Sequence, residues 1–257
     1  MKIATFNVNS IRTREPILLD WLRDNRPDIL CVQETKVPDE EFPADAFQKA
    51  GYRVTYRGEK SYNGVAILSR ELPRHLSFGF DNGHAADETR LQCADFRGFT
   101  VVNTYVPQGR AVDHPMYPYK LDWLKKLRAW FDRRFKKRDK VIWVGDMNVA
   151  REPIDVHNPE VRANHVCYHA DARAAFEHCL AWGFEDVFRK FHPGPGHYTF
   201  FDYRNPQNVQ RRKGWRVDYI LASRPAAGKA RDAWIDLGPR LKSRPSDHTP
   251  LVAEFDG

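Results

Sequence analysis

The chain has 257 residues, 42% hydrophobic and 29% charged, the make-up of a soluble globular protein and not of a disordered one. Lys and Arg number 41 against 34 Asp and Glu, a formal net charge of +7. That excess favours an anionic partner, with nucleic acid first. No apolar run approaches the roughly 18 residues of a membrane span. The opening MKIATFNVNS lacks the apolar stretch of a signal peptide. The four cysteines, Cys31, Cys93, Cys167 and Cys179, form no CxxC pair. Free thiols in a reduced, cytoplasmic setting are the expectation.

In chain order, Ile3–Asn9 reads as a strand ending in Asn7 and Asn9, two residues apart and so on one face if extended. A helix is predicted from about Glu15, with Pro16 in its first turn and Ile17, Leu18, Trp21 and Leu22 as its apolar stripe. Ile29–Val32 is an apolar run that terminates in Gln33 and Glu34. Asn63–Ser69 is a further strand, with Asn63-Gly64 read as a turn before it. Leu91–Phe96 and Thr100–Val106 form a hairpin through Arg97-Gly98, and the second strand ends at Tyr105. A loop runs to Pro118, then an amphipathic helix covers roughly Lys120–Phe135. The basic cluster Arg133–Arg138 at its end reads as a solvated face.

Val141–Ala150, VIWVGDMNVA, holds the centre of the chain. Four apolar residues make a buried strand, and Gly145 permits a bend or a close backbone approach. If the chain stays extended, Asp146 and Asn148 point to one side. A carboxylate that accepts a proton beside an amide that holds an oxygen is a catalytic arrangement. The same residue types also make turns. A long irregular segment follows, then a helix near Asp171–Trp182 stopped by Gly183. Tyr198–Arg204 precedes a polar loop carrying Arg211, Arg212 and Lys213. Gly214–Ser223 is a strand containing Asp218, and Asp247-His248 precede a final strand. No repeat or linker interrupts the chain, so one domain is expected.

Asn7, Glu34, Tyr105, Asp146, Asn148, Asp218, Asp247 and His248 lie within or beside predicted core strands, most near strand ends. In stacked sheets such positions converge on one edge as a cleft. Buried acids are costly unless they bind a metal or pair with a cation. Four carboxylates, two amides and no nearby Cys suit a hard cation such as Mg²⁺ or Mn²⁺. Aromatics near the basic loop (Arg204, Arg211, Arg212, Lys213) suit nucleotide contact or, alternatively, a core.

Eight motifs, FNVNS at 6–10, CVQETK at 31–36, NGVAILS at 63–69, NTYVPQG at 103–109, VGDMN at 144–148, YTFFDYR at 198–204, GWRVDY at 214–219 and PSDHTP at 245–250, span nearly the whole chain. In this order they resemble the exonuclease III family of DNA-repair nucleases, a branch of the endonuclease/exonuclease/phosphatase superfamily. The resemblance implies an α/β fold of four layers, two packed mixed sheets flanked by helices, as in deoxyribonuclease I. It implies a Mg²⁺-dependent DNA phosphodiesterase of base-excision repair, acting as a monomer on duplexes with abasic sites or damaged 3′ ends.

Position by position, it implies Glu34 as metal ligand with Asn7 nearby and Asp247 beside the metal. Asp146 activates or orients the water and Asn148 positions it. His248, paired with Asp218, contacts the phosphate, and Tyr105 touches the phosphate or leaving group. Phe200, Trp215 and Val217 line the sugar pocket. Arg204, Arg211, Arg212 and Lys213 are expected to meet phosphates. One departure is Cys167-Tyr168-His169, where many relatives carry a small residue and a Leu-Pro-Glu-Glu-Arg-like run. If Tyr168 and His169 face the pocket, their bulk should hinder cleavage at internal abasic sites. The competing readings are a lipid- or inositol-phosphate phosphatase of the same superfamily and a catalytically inactive nucleic-acid-binding module.

Overall fold

The computed structural model describes residues 1–81 and 83–256. Twelve strands are found among them: β1 (Lys2–Asn7), β2 (Ile29–Gln33), β3 (Arg53–Glu59), β4 (Tyr62–Ser69), β5 (His75–Phe78), β6 (Leu91–Phe96), β7 (Phe99–Tyr105), β8 (Val141–Asp146), β9 (Phe184–Asp186), β10 (Asp218–Ser223), β11 (Ala230–Ile235) and β12 (Leu251–Phe255). They form two six-stranded sheets, in the orders β11-β12-β1-β2-β4-β3 and β5-β6-β7-β8-β10-β9. Both sheets are mixed: β1–β2 and β7–β8 are parallel, while β1–β12 and β8–β10 are antiparallel.

Three apolar layers show how the sheets stack. Ile3, Ile29, Cys31, Val101, Ile142, Val144 and Ile220 meet between the two sheets. Helix α1 (Ile11–Asn25) covers the outer face of the first sheet, with Leu18, Trp21 and Leu22 against Ala4, Phe6 and Leu30. Helices α2 (Met116–Arg134) and α3 (Ala170–Leu180) cover the second, with Trp123, Leu127, Phe131 and Phe176 against Trp143 and Tyr219. The result is the expected four-layer sandwich of helix, sheet, sheet and helix.

The two-residue period of a strand places the polar residues. Ile3 and Ile29 face the inter-sheet layer, so Thr5, Asn7, Cys31 and Gln33 face it too. By the same count Val101, Asn103 and Tyr105 face inward, as do Ile142, Val144 and Asp146. The layer is therefore apolar where these strands begin and polar where they end. Gln33 donates to Thr5 Oγ1 on the neighbouring strand at 2.9 Å and to Asn103 Oδ1 across the sandwich at 2.7 Å. Asn103 donates in turn to the carbonyls of Val32 and Ala66. These bonds use the N–H groups of both amides and the Asn103 oxygen, while Gln33 Oε1 has no hydrogen-bond partner among the described residues.

Several boundaries differ from the sequence expectation. Helix α1 begins at Ile11, four residues early, and Pro16 sits inside it. No side-chain cap starts it; the Ser10 and Ile11 amides bond instead to the carbonyls of Glu34 and Thr35. Asn9 is left-handed (φ 45°), so it does not share an extended face with Asn7. Asn63-Gly64 lie within β4, not in a turn before it. The β3–β4 register shifts between Arg57 and Glu59, and both Asn63 and Gly64 have positive φ. Helix α2 begins at Met116, and Pro118 fits its first turn, where an amide has no intrahelical partner to lose. The stretch 214–217 is irregular, with β10 opening only at Asp218. Arg133–Arg138 is exposed apart from Phe135, as a solvated face requires. All four cysteines are free and buried. Among the described residues, no helix is long and apolar enough to cross a membrane.

Candidate active site

The polar end of the sandwich opens into a cleft of about 560 Å³. Glu34, Tyr105, Asp146, Asn148, Phe200, Trp215, Val217, Asp247 and His248 all line it. Strand register brings them together. Tyr105 pairs with Asp146 across β7–β8, and Asp218 with Asp146 across β8–β10. The strand passes through Gly145 at φ 136°, where a Cβ would lie 1.9 Å from the Thr104 carbonyl oxygen. Only glycine allows that approach, so any larger residue would push Asp146 out of register.

Asp146 is a hub. Its Oδ1 accepts the Asn148 amide N–H at 2.8 Å, and its Oδ2 accepts Asn7 Nδ2 at 2.8 Å and Asn148 Nδ2 at 3.2 Å. Asn148 is left-handed (φ 49°), so the chain turns here and does not stay extended. The turn and the catalytic arrangement are thus one feature: the carboxylate that caps the turn faces the cleft. Asn7 also donates to Glu34 Oε1 at 2.7 Å, while its Oδ1 accepts from Asn9 N. Asn7 therefore meets both acids as a donor and locks their spacing.

His248 Nδ1 lies 2.8 Å from Asp218 Oδ2, and its Nε2 lies 3.7 Å from Asp146 Oδ2. Burial alone would lower the imidazole's pKa, but Asp218 and Asp146 outweigh it and raise it to about 10. Burial pushes Asp146 up to about 7; His248 opposes this, and the neighbouring carboxylates of Asp218 and Glu34 add to it. Glu34 is held below its ordinary value: burial works against its charge, and Lys36, 2.7 Å away, prevails. Burial keeps the Tyr105 phenol protonated, assisted by Glu34 and Asp146.

Glu34, Asp146 and His248 each present an atom within 4.8 Å of the other two, a group that could hold a metal ion. Asp247 lies on the cleft outside that group, its Oδ1 accepting Asn9 Nδ2 at 3.0 Å. The donor chemistry fits a hard cation, since two carboxylates dominate and no sulfur joins them. The imidazole is already engaged by Asp218.

Phe200 and Trp215 face each other through backbone bonds, and Phe200 packs edge-on to His248 with ring centroids 5.1 Å apart. Tyr168, Val156 and Ala150 pack behind Val217. Tyr168 and His169 do not line the cleft. Tyr168 is buried in that packing layer, and His169 Nδ1 lies 2.9 Å from Tyr117 Oη while capping α3. From the irregular segment, His157, Asn158, Arg162, His165 and Cys167 line the cleft, with the His165 ring tilted against Trp215 at 4.5 Å between centroids. Of the basic loop, Arg204 and Lys213 line the cleft whereas Arg211 and Arg212 do not. Arg204 is also forked onto Asp202.

Sequence reasoning missed Lys120. Its ammonium is fully buried and donates to the carbonyls of Gln108, Asn148 and Val166 at 3.2, 2.7 and 3.0 Å. One cation thus ties together three loops that wall the cleft. The available signal was its position on the apolar stripe of α2, between Tyr117 and Leu124, where a Lys is out of place.

A profile of the endonuclease/exonuclease/phosphatase family matches residues 4–248. The chain belongs to that family. Exodeoxyribonuclease III of Haemophilus influenzae is 32% identical over 99% of this chain and 100% of its own length. Among solved structures, an AP endonuclease from Archaeoglobus fulgidus is 51% identical, covers both chains fully and superposes with a TM-score of 0.97. A 3′ phosphatase from Neisseria, solved with a product DNA hairpin, is 38% identical over both full chains, with a TM-score of 0.93. The family fold and the observed sandwich agree in full. The chain is a member of the exonuclease III branch, whose motifs it carries in order.

Proposed function

We propose that this chain is a divalent-metal-dependent DNA phosphodiesterase of base-excision repair, cutting the backbone 5′ to abasic sites and clearing 3′-blocking groups and 3′-terminal nucleotides. The observation that carries this reading is the Glu34–Asn7–Asp146–His248–Asp218 chain of contacts at the floor of the cleft. The relatives named as nucleases and as a 3′ phosphatase support the choice of DNA as substrate.

Hydrolysis joins a water oxygen to phosphorus and releases the far oxygen. Asp146, near neutrality in its titration, takes the water's proton. Asn148 holds the water, its own amide fixed by Asp146 and the Val106 carbonyl. His248, kept cationic and oriented by Asp218, presents its outer N–H to a phosphoryl oxygen. Tyr105, still protonated, donates a hydrogen bond to the departing oxygen. Glu34 would anchor Mg²⁺ or Mn²⁺ at the edge of the group it forms with Asp146 and His248, and the ion when bound would neutralise charge on the phosphoryl group. Phe200, Trp215 and Val217 would receive the sugar, and Lys213 and Arg204 the flanking phosphates.

The test is a gel assay on three duplexes, carrying an abasic analogue, a 3′-phosphate, or a recessed 3′ end. Mg²⁺-dependent products from all three, abolished by EDTA, are expected. Release of phosphate from an inositol phosphate, with the DNA left intact, would instead establish the phosphatase reading. Duplex binding with no turnover in any metal would establish the inactive module.

A further inference from the structure

The apolar end of the sandwich, opposite the cleft, also opens into a cavity, of about 320 Å³. Ile142, Ala226 and Phe255 form its buried floor, and Phe99 and Met1 its half-buried walls. Arg97, Lys140 and Lys229 stand at the rim. The only carboxylate there among the described residues is that of Asp256, already paired to Arg231. Arg97 and Lys140 take part in no ion pair among the described residues, so their charge is open to a partner. Arg97 is exposed at the tip of the β6–β7 turn, and Lys136, Lys137 and Arg138 are exposed just before Asp139 and Lys140.

We infer that this end is a docking site for an acidic peptide segment of a partner protein, anchored by one aromatic side chain. The size lies at the lower end of ligand-pocket volumes, enough for one large side chain. An aromatic anchor matches the apolar floor and the half-buried Phe99 at its wall. Flanking Asp and Glu residues match the cationic rim. A nucleic-acid backbone would leave the apolar floor unused. The cavity sits at the start of β7 and the cleft at its end, roughly 20 Å away along the strand. Peptide and DNA would therefore bind together, and the partner would raise the local concentration of the nuclease on its substrate.

The experiment uses the full chain and a fluorescein-labelled hexapeptide of Asp and Glu with one central Phe, read by polarisation. Saturable binding is expected. Replacing the peptide's Phe by Ala should weaken it about tenfold or more, the scale of one buried aromatic side chain. The double variant Arg97→Glu/Lys140→Glu should also weaken it about tenfold or more. Its nuclease activity and melting temperature should match wild type, because neither residue touches the cleft or the core. Equal binding of the Phe and Ala peptides would overturn the inference, as it would show charge attraction alone. So would undiminished binding to the double variant, or no binding. Displacement of the peptide by a short single strand whose own affinity falls in the double variant would assign this end to nucleic acid and overturn it as well.

Discussion

Asp146 carries the most at the scale of single residues. Asn7 and Asn148 donate to its carboxylate, His248 lies 3.7 Å away, and burial pushes its pKa up to about 7. Asp146→Asn keeps the shape and removes the proton acceptor, so turnover should fall by about 10² or more while DNA binding survives. Near-normal turnover of the folded variant would remove Asp146 from the chemistry. His248 makes a second, separable prediction. Its folded pKa of about 10 lies above the roughly 6.5 of an unfolded histidine. The proton is therefore bound more tightly in the folded state. The stabilisation is full below about pH 6.5 and is lost as pH rises through about 10. In EDTA, the melting-temperature advantage of wild type over His248→Gln should be largest near pH 6 and shrink steadily toward pH 10. An advantage constant across that range would mean that packing, not charge, accounts for it.

The site residues were largely legible because chemistry and periodicity coincide there. Acids and amides recur at the ends of apolar strands, and the two-residue period sends Asn7, Tyr105 and Asp146 into one gap. What stayed hidden depended on direction. Nothing in Arg211 and Arg212 as residues distinguishes them from Lys213; the turn after Asn208 decides which of them meets the cleft. Likewise Asn63-Gly64 has the composition of a turn, and only the β3 pairing of Tyr62 and Val65 on either side shows it inside a strand.

Among elements, the irregular segment after β8 is the least secured by regular structure and the most dependent on charge. Asp155, on that segment, is fully buried and accepts Arg216 Nε at 2.7 Å and Nη2 at 3.1 Å. Arg189 joins Asp155, and Asp186 lies 2.8 Å from Arg216. Arg216 immediately precedes Val217 and Asp218, so this cluster sets the cleft wall that Trp215 and Val217 form. Asp155→Asn leaves a buried guanidinium short of charge, at a cost of about 3–5 kcal/mol. Chemical denaturation should report that loss. Burial works against the charge of Asp155, yet Arg216 and Arg189 hold its pKa below the ordinary value. This contribution is therefore present above about pH 4 and lost as pH falls through the depressed folded value. The variant's deficit should accordingly narrow in strong acid.

The same segment corrects the steric expectation for Tyr168 and His169. Tyr168 supports Val217 from behind, and His169 is tied to Tyr117 and the α3 N-terminus. Neither lines the cleft. In Tyr168→Phe/His169→Asn, which preserves the packing and the cap, the ratio of abasic-site cleavage to 3′-phosphate removal should equal that of wild type. A ratio that rises severalfold would show that these side chains reach the pocket during the reaction.

Over the whole molecule, a formal charge of +7 says that DNA is attracted but not where its backbone runs. The cleft supplies the direction. Lys213 lines it and forms no ion pair among the described residues, so it is free to meet a phosphate. Arg204 lines it too, but its guanidinium is forked onto Asp202 and must loosen that contact before giving a phosphate its full charge. Arg211 and Arg212 are exposed on the same loop, off the cleft. Each neutralised phosphate contributes about 0.9 to the slope of log affinity against log salt. Lys213→Ala should therefore flatten that slope by about one unit and weaken binding equally on unrelated sequences. Arg204→Ala should flatten it by less than one unit, because part of its charge is spent on Asp202. Arg211→Ala/Arg212→Ala should change it least, although that variant removes two charges and the others one. Fluorescence anisotropy at four or five salt concentrations, in EDTA to prevent cleavage, gives all three slopes. If the double variant instead flattens the slope by about two units, the DNA runs over the outside of the loop, and net charge, not the cleft, guides its path.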